Sequence, residues 1–179
     1  MKAVILDRDG VINHDSPDYI KNADEWRPIP GSLEAIARLK QAGWRIAVAT
    51  NQAGLARGLF SQADLDGIHA RMVAAIEAAG GAMDALVYCP HRPEDHCDCR
   101  KPAPGLLREI GRRFDIELAG VPFIGDTLKD IEAARAVGAR PMLVLTGQGE
   151  ATRAALGDAP DVEIFANLAA AAARLITEE

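Results

Sequence analysis

Residues 2–10 read Lys-Ala-Val-Ile-Leu-Asp-Arg-Asp-Gly, an apolar run from Ala3 to Leu6 that stops at three charges and a glycine. A run this short, bounded by a turn signal, predicts a strand buried on both faces, as in parallel sheets. Lys2–Leu6 is the first expected strand. The same signature recurs at Arg45–Ala49, Ala85–Tyr88, Val121–Ile124, Met142–Leu145 and Val162–Phe165. Helices are expected between them at Ser32–Gln41, Gln62–Ala79, Pro104–Phe114, Leu128–Val137 and Leu168–Ile176. The first two stop at Gly43 and at Gly80-Gly81, where a C-terminal glycine belongs. Strands alternating with crossover helices predict an α/β fold: a Rossmann-like, mostly parallel sheet with helices on both faces.

Two segments break the alternation. Residues 10–30 carry Pro17, Pro28 and Pro30 and read as a loop with room for a hairpin, while 89–102 mix Cys, His, Pro and charge. Long loops inside a compact α/β domain are usually functional. The 179 residues fit one domain, 1–179, with no room for a large cap domain over the sheet. Specificity is then expected from short loops.

Composition narrows the function classes. The chain is 49% hydrophobic and 26% charged, enough to bury a core. Aromatic residues are only 4%, too few for a base-stacking platform. A net charge of -6 and a pI near 5.2 argue against nucleic acid as the partner. No apolar run approaches the roughly 20 residues that span a bilayer, and Asp7 interrupts the first run too early for a signal-peptide core. A cytoplasmic monomer, free of membrane and nucleic acid and acting on a small molecule, is the expectation.

Ligands of open α/β sheets bind outside the carboxyl ends of the strands. The expected strands are followed there by Asp7-Arg8-Asp9-Gly10, by Thr50-Asn51-Gln52, and by Gly125-Asp126 with Asp130 one helical turn on. Carboxylates converging on one edge repel each other unless a cation is shared. With hard oxygen ligands that cation is Mg²⁺. All 3 cysteines fall between Cys89 and Cys99, unlike a disulfide framework spread along a chain. Cys89, His91, Cys97 and Cys99 form a Cys₃His set suited to closed, tetrahedral, structural Zn²⁺. His96 is a rival ligand made awkward by its adjacency to Cys97, and His14 and His69 read as surface residues. Arg100 and Lys101 directly follow the last cysteine, so a rigid zinc loop would aim both at the strand ends. Arg100 is expected to contact a remote part of the substrate, such as a second phosphate. Asp15, Ser16 and Asp18 are candidates for hydrogen bonds to substrate hydroxyls, with a plain turn as the equal alternative.

D-R-D-G-V-I-N at 7–13, T-N-Q at 50–52, R-K-P at 100–102 and G-D-x-x-x-D at 125–130 resemble the haloacid-dehalogenase superfamily of phosphohydrolases. The match runs in order from Lys2 to about Gly149. Residues Asn51–Gly58, the Cys-Pro-His loop and Leu145-Thr146-Gly147 look most like the branch acting on a heptose 1,7-bisphosphate; the nearest alternative is histidinol phosphate. The resemblance implies that Asp7 is the nucleophile forming an aspartyl-phosphate, and that Asp9 is the general acid and then base. It implies Mg²⁺ held by the Asp7 and Asp126 side chains and the Asp9 carbonyl, with Asp130 supporting from behind. Thr50, Asn51, Gln52 and Lys101 are implied on the phosphate side. The expected product is heptose 1-phosphate, a precursor for lipopolysaccharide or a related glycan. A non-catalytic zinc module and a phosphotransferase are the rivals from other classes.

Overall fold

The computed structural model describes residues 1–178. Six strands form one sheet: β1 (Ala3–Leu6), β2 (Arg45–Asn51), β3 (Ala85–Cys89), β4 (Pro122–Gly125), β5 (Arg140–Val144) and β6 (Glu163–Phe165). Their order is β3-β2-β1-β4-β5-β6 and every pairing is parallel. The helices are α1 (Ser32–Gln41), α2 (Gln62–Ala78), α3 (Gly105–Phe114), α4 (Leu128–Ala136), α5 (Gly149–Leu156) and α6 (Leu168–Thr177).

Side-chain alternation along β1 explains the layering. Val4 and Leu6 face one way, with Ile46, Val48 and Ile124, against Ile36 and Leu39 of α1, Ile68 and Met72 of α2 and Leu175 of α6. Ala3 and Ile5 face the other way, with Ala47 and Ala49, against Leu107, Ile110 and Phe114 of α3 and Ala133 and Ala134 of α4. Burying a side chain such as Leu6 on this scale is worth about 1.5–3 kcal/mol, which is why both faces of β1 are apolar. No helix among the described residues is long and apolar enough to cross a membrane.

The expected Rossmann-like architecture is present, with three corrections. Helix α5 is absent from the sequence reading because Gly149 opens it and only Gly149 and Thr152 are buried along its 8 residues, so it has no apolar stripe. β5 starts at Arg140, two residues before the expected Met142, because main-chain pairing with Pro122 and Phe123 recruits Arg140 and Pro141 whatever their side chains. The 10–30 loop contains no hairpin. It is held by single bridges, Asp9 to Asn13 and Asn13 to Pro28, and by a 3-10 turn at Ala23–Glu25 whose amides are capped by Asn22.

Candidate active site

β1 lies between β2 and β4 at the centre of the sheet, so their three carboxyl ends meet at the point where the strand order reverses. Asp7 leaves β1 tied to β4 through its N–H on the Ile124 carbonyl at 2.9 Å. Asp7 Oδ1 accepts from the Arg8 amide at 2.7 Å and pairs with Lys101 Nζ at 3.0 Å. Lys101 Nζ, only 2% exposed, also donates to Asp130 Oδ1 at 2.7 Å and to the Ala49 carbonyl at 2.9 Å. All three ammonium protons are therefore placed. Burial alone would lower the Lys101 pKa, but Asp130 and Asp7 outweigh it and raise it.

Asp126 Oδ2 accepts from the Gln148 amide at 2.8 Å, while Asp126 Oδ1 is buried with no partner. Gly10, at φ +82°, permits this approach; a Cβ there would overlap the Asp126 carboxylate. Asp130 is different: Oδ1 is taken by Lys101, and Oδ2 accepts from Asp126 N, Thr127 N and Thr127 Oγ1 at the start of α4. Burial and then Asp130 push Asp7 well above the usual carboxylate range and Asp126 up to about 7. Carboxylate oxygens of Asp7, Asp126 and Asp130 lie within 4.8 Å of one another. Three clustered acids and an orphaned buried oxygen fit a hard divalent cation bound between Asp7 and Asp126. Asp130, with both oxygens occupied, fits a supporting position.

Asp9 faces a separate set of donors. Arg8 donates through Nε at 3.0 Å and Nη2 at 2.9 Å to Oδ1, Asn13 Nδ2 adds 2.9 Å to the same oxygen, and Gln52 Nε2 reaches Oδ2 at 3.1 Å. Burial would raise the Asp9 pKa, but the Arg8 charge and these hydrogen bonds lower it. Gln52 Nε2 also donates to Thr50 Oγ1 at 2.9 Å, so Gln52 is buried between two site residues.

Cys89, His91, Cys97 and Cys99 converge as the spacing predicts. Cys89 Sγ lies 3.5 Å from Cys97 Sγ and 2.8 Å from Cys99 Sγ, Cys97 and Cys99 are 3.6 Å apart, and His91 Nδ1 is 3.3 Å from Cys99 Sγ. Three thiols and one imidazole gathered in this way are a donor set suited to tetrahedral zinc. His96 is exposed and outside the group. Arg100 N donates to Cys97 Sγ at 3.3 Å, and Arg100 Nη1 to the His91 carbonyl at 3.3 Å.

The cleft over Asp7 is small, about 130 Å³, and polar. Asp9, Thr50, Asn51, Arg100, Lys101 and Asp126 all line it, as does Asp15. The Asn51 side chain is already engaged with the Lys101 main chain. Ser16 lines a neighbouring cavity; Asp18 lines neither and sits in a turn in which Ser16 Oγ accepts from its amide. A larger groove, about 740 Å³, lies beside α3 and gathers no comparable set of converging acids.

Sequence reading passed over four neighbours. Lys129 and Gln148 line the cleft, Gln148 Nε2 donating to Asp15 Oδ2 at 3.0 Å. Burial and then the Arg100 charge lower the Lys129 pKa, so two cations face one space. Lys129 could have been found from Leu128-Lys129-Asp130 at the start of an expected helix; Gln148 carried no signal. Arg8 is fully buried against Asp9, and His69, expected at the surface, is buried at 7% exposure. His69 shares the buried face of α2 with Leu65, Ile68, Met72 and Ile76.

These features recur in known proteins. Residues 98–171 match the HAD-hydrolase-like family model. Over 178 residues the chain is 52% identical to the D-glycero-beta-D-manno-heptose-1,7-bisphosphate 7-phosphatase of Bordetella bronchiseptica, covering 99% of both chains. The chain belongs to this family of phosphatases. A heptose-bisphosphate phosphatase of Pseudomonas aeruginosa is 56% identical over 97% of both chains. The solved Bordetella bronchiseptica phosphatase, complexed with magnesium and phosphate, superposes with a TM-score of 0.97 over 100% of both chains. The Burkholderia thailandensis phosphatase is 44% identical, with a TM-score of 0.78 over 99% of both. As a member of these phosphatases, the chain is a phosphoric monoester hydrolase.

Proposed function

We propose that the chain hydrolyses the C7 phosphate of D-glycero-β-D-manno-heptose 1,7-bisphosphate, releasing heptose 1-phosphate and inorganic phosphate. The buried Asp7–Lys101–Asp130 cluster beside the unpartnered Asp126 Oδ1 carries this reading. The relatives at 52% and 56% identity act, by name, on that substrate.

Mg²⁺ fits between the Asp7 and Asp126 carboxylates and the Asp9 main-chain carbonyl, and when bound it supplies positive charge to the phosphoryl oxygens. Lys101 and the Arg8 amide hold Asp7 Oδ1, the two side-chain contacts of Asp7 among the described residues. An Asp7 oxygen bonds to phosphorus as the P–O bond to C7 breaks, and Asp9, which first takes up a proton from solvent against the pull of Arg8, delivers it to the departing oxygen. Asp9, now a carboxylate, takes a proton from the water that attacks the aspartyl-phosphate, which frees Asp7 and phosphate. Thr50 and Lys101 stabilise charge on the phosphoryl group. Cys89, His91, Cys97 and Cys99 would hold Zn²⁺, which would stiffen the loop that carries Arg100. Arg100 and Lys129 take the distal C1 phosphate, and Asp15 and Gln148 a sugar hydroxyl.

Phosphate release from heptose 1,7-bisphosphate and from histidinol phosphate, measured side by side with Mg²⁺, tests the reading. A preference of about a hundredfold in kcat/KM for the bisphosphate, ~2.7 kcal/mol of transition-state discrimination, is expected. Preference for histidinol phosphate would overturn the substrate and leave the chemistry.

A further inference from the structure

His69 is a buried titratable group that the chemistry above does not use. It sits on α2, against the Tyr88 ring at 5.8 Å between centroids, and its Nε2 lies 3.1 Å from Arg8 Nη1. Arg8 is fully buried, and its side chain has two partners among the described residues: the Asp9 carboxylate and this imidazole. A guanidinium can only donate, so Nε2 accepts, the ring proton rests on Nδ1, and His69 is neutral.

We propose that His69 is a positioning residue that acts through Arg8 to hold the acid/base carboxylate of Asp9. The inference rests on the acid/base role assigned to Asp9. A neutral acceptor suits this place for a physical reason. A carboxylate at position 69 would compete with Asp9 for the guanidinium. An apolar residue would leave Nη1 buried without a partner, and Arg8 would rotate to find one. With imidazole there, Nη1 is satisfied while Nε and Nη2 stay directed at Asp9, so Oδ1 is held by Arg8 and Asn13 and Oδ2 by Gln52 and Arg8. Burial and then the Arg8 charge depress the imidazole to about 4, which keeps it an acceptor in neutral solution.

The test compares leaving groups. A sugar alkoxide needs a proton from Asp9 as it departs, whereas p-nitrophenolate leaves unassisted, and kcat/KM covers binding and the steps up to leaving-group departure but not the later hydrolysis of the aspartyl-phosphate. His69→Leu should lower kcat/KM on heptose 1,7-bisphosphate by about tenfold or more and on p-nitrophenyl phosphate by less than about threefold. His69→Gln, whose Oε1 reaches the Nε2 position, should restore the sugar-phosphate value to within about threefold; His69→Asn, which is shorter, should not. If His69→Leu does not fold, the Gln and Asn pair carries the comparison. Equal losses on both substrates, or no loss on either, would overturn the role of His69. Asp9→Asn measured alongside separates the two readings: without a leaving-group-dependent loss in that variant, the acid/base assignment of Asp9 fails. If Asp9→Asn shows the split and His69→Leu does not, the inference about His69 fails alone.

Discussion

Asn51 and Lys101 clasp each other across two elements: Asn51 Nδ2 donates to the Lys101 carbonyl at 3.1 Å, and the Lys101 amide donates to Asn51 Oδ1 at 3.0 Å. The carboxamide at the end of β2 imitates a strand partner for the chain leaving the cysteine loop. It thereby fixes where the Lys101 ammonium enters the cluster of Asp7 and Asp130. Asn51→Ala leaves two main-chain groups of Lys101 without their partner and should lower kcat/KM by about ten- to a hundredfold. Asn51→Ser, too short to span both groups, should recover little. Steady-state kinetics with a thermal melt on each variant make the check.

Asp7→Asn should abolish turnover while the circular-dichroism melt still shows a folded protein. The amide is close in volume but is no nucleophile, and Lys101 keeps Asp130 and Ala49 as partners. Turnover above about a thousandth of wild type would remove Asp7 from the nucleophilic role.

Cys99→Ser should lower bound zinc below one per chain and reduce the melting temperature, since the thiolate set and the loop geometry depend on each other. Zinc content by elemental analysis decides the matter: stoichiometric zinc in the variant would show that the ligand set is wrong.

Arg100→Ala and Lys129→Ala should each reduce kcat/KM for heptose 1,7-bisphosphate by about tenfold more than for a heptose 7-phosphate. Equal losses on the two substrates would take both residues off the distal phosphate.

Asp84 links the β3 edge to α1 and β2, accepting from Lys40 Nζ at 2.7 Å and from the Ile46 amide at 2.8 Å. Burial alone would raise its pKa, but Lys40 and Ile46 lower it below the ordinary 3.8. A depressed carboxylate stabilises the fold above its unfolded pKa, and that stabilisation disappears as the pH falls through the folded value. Asp84→Asn should therefore cost about 1 kcal/mol near neutrality, with the gap to wild type closing as the pH falls through the lowered Asp84 pKa. Chemical denaturation at several pH values reads this out.

The parallel sheet and most of the site were legible in the chain before folding. Apolar runs such as Ala3–Leu6 end in charge only where a buried strand meets an exposed edge, so their spacing dictates both the sheet and the residues at its rim. The convergence of the Cys₃His group was legible too, because side chains this close in sequence need little tertiary help to meet. Helix α5 and the early start of β5 were not, since one lacks an apolar stripe and the other is defined by main-chain pairing with β4. Nor were the electrostatic partnerships. Lys101 meets Asp130 across 29 positions, and Arg8 meets His69 across 61. The energy of such a pair depends on separation and burial, and no local pattern encodes either. Motifs therefore announce which groups are present, while the fold sets which carboxylate is neutralised by Lys101, which by Arg8, and which oxygen of Asp126 is left for a cation.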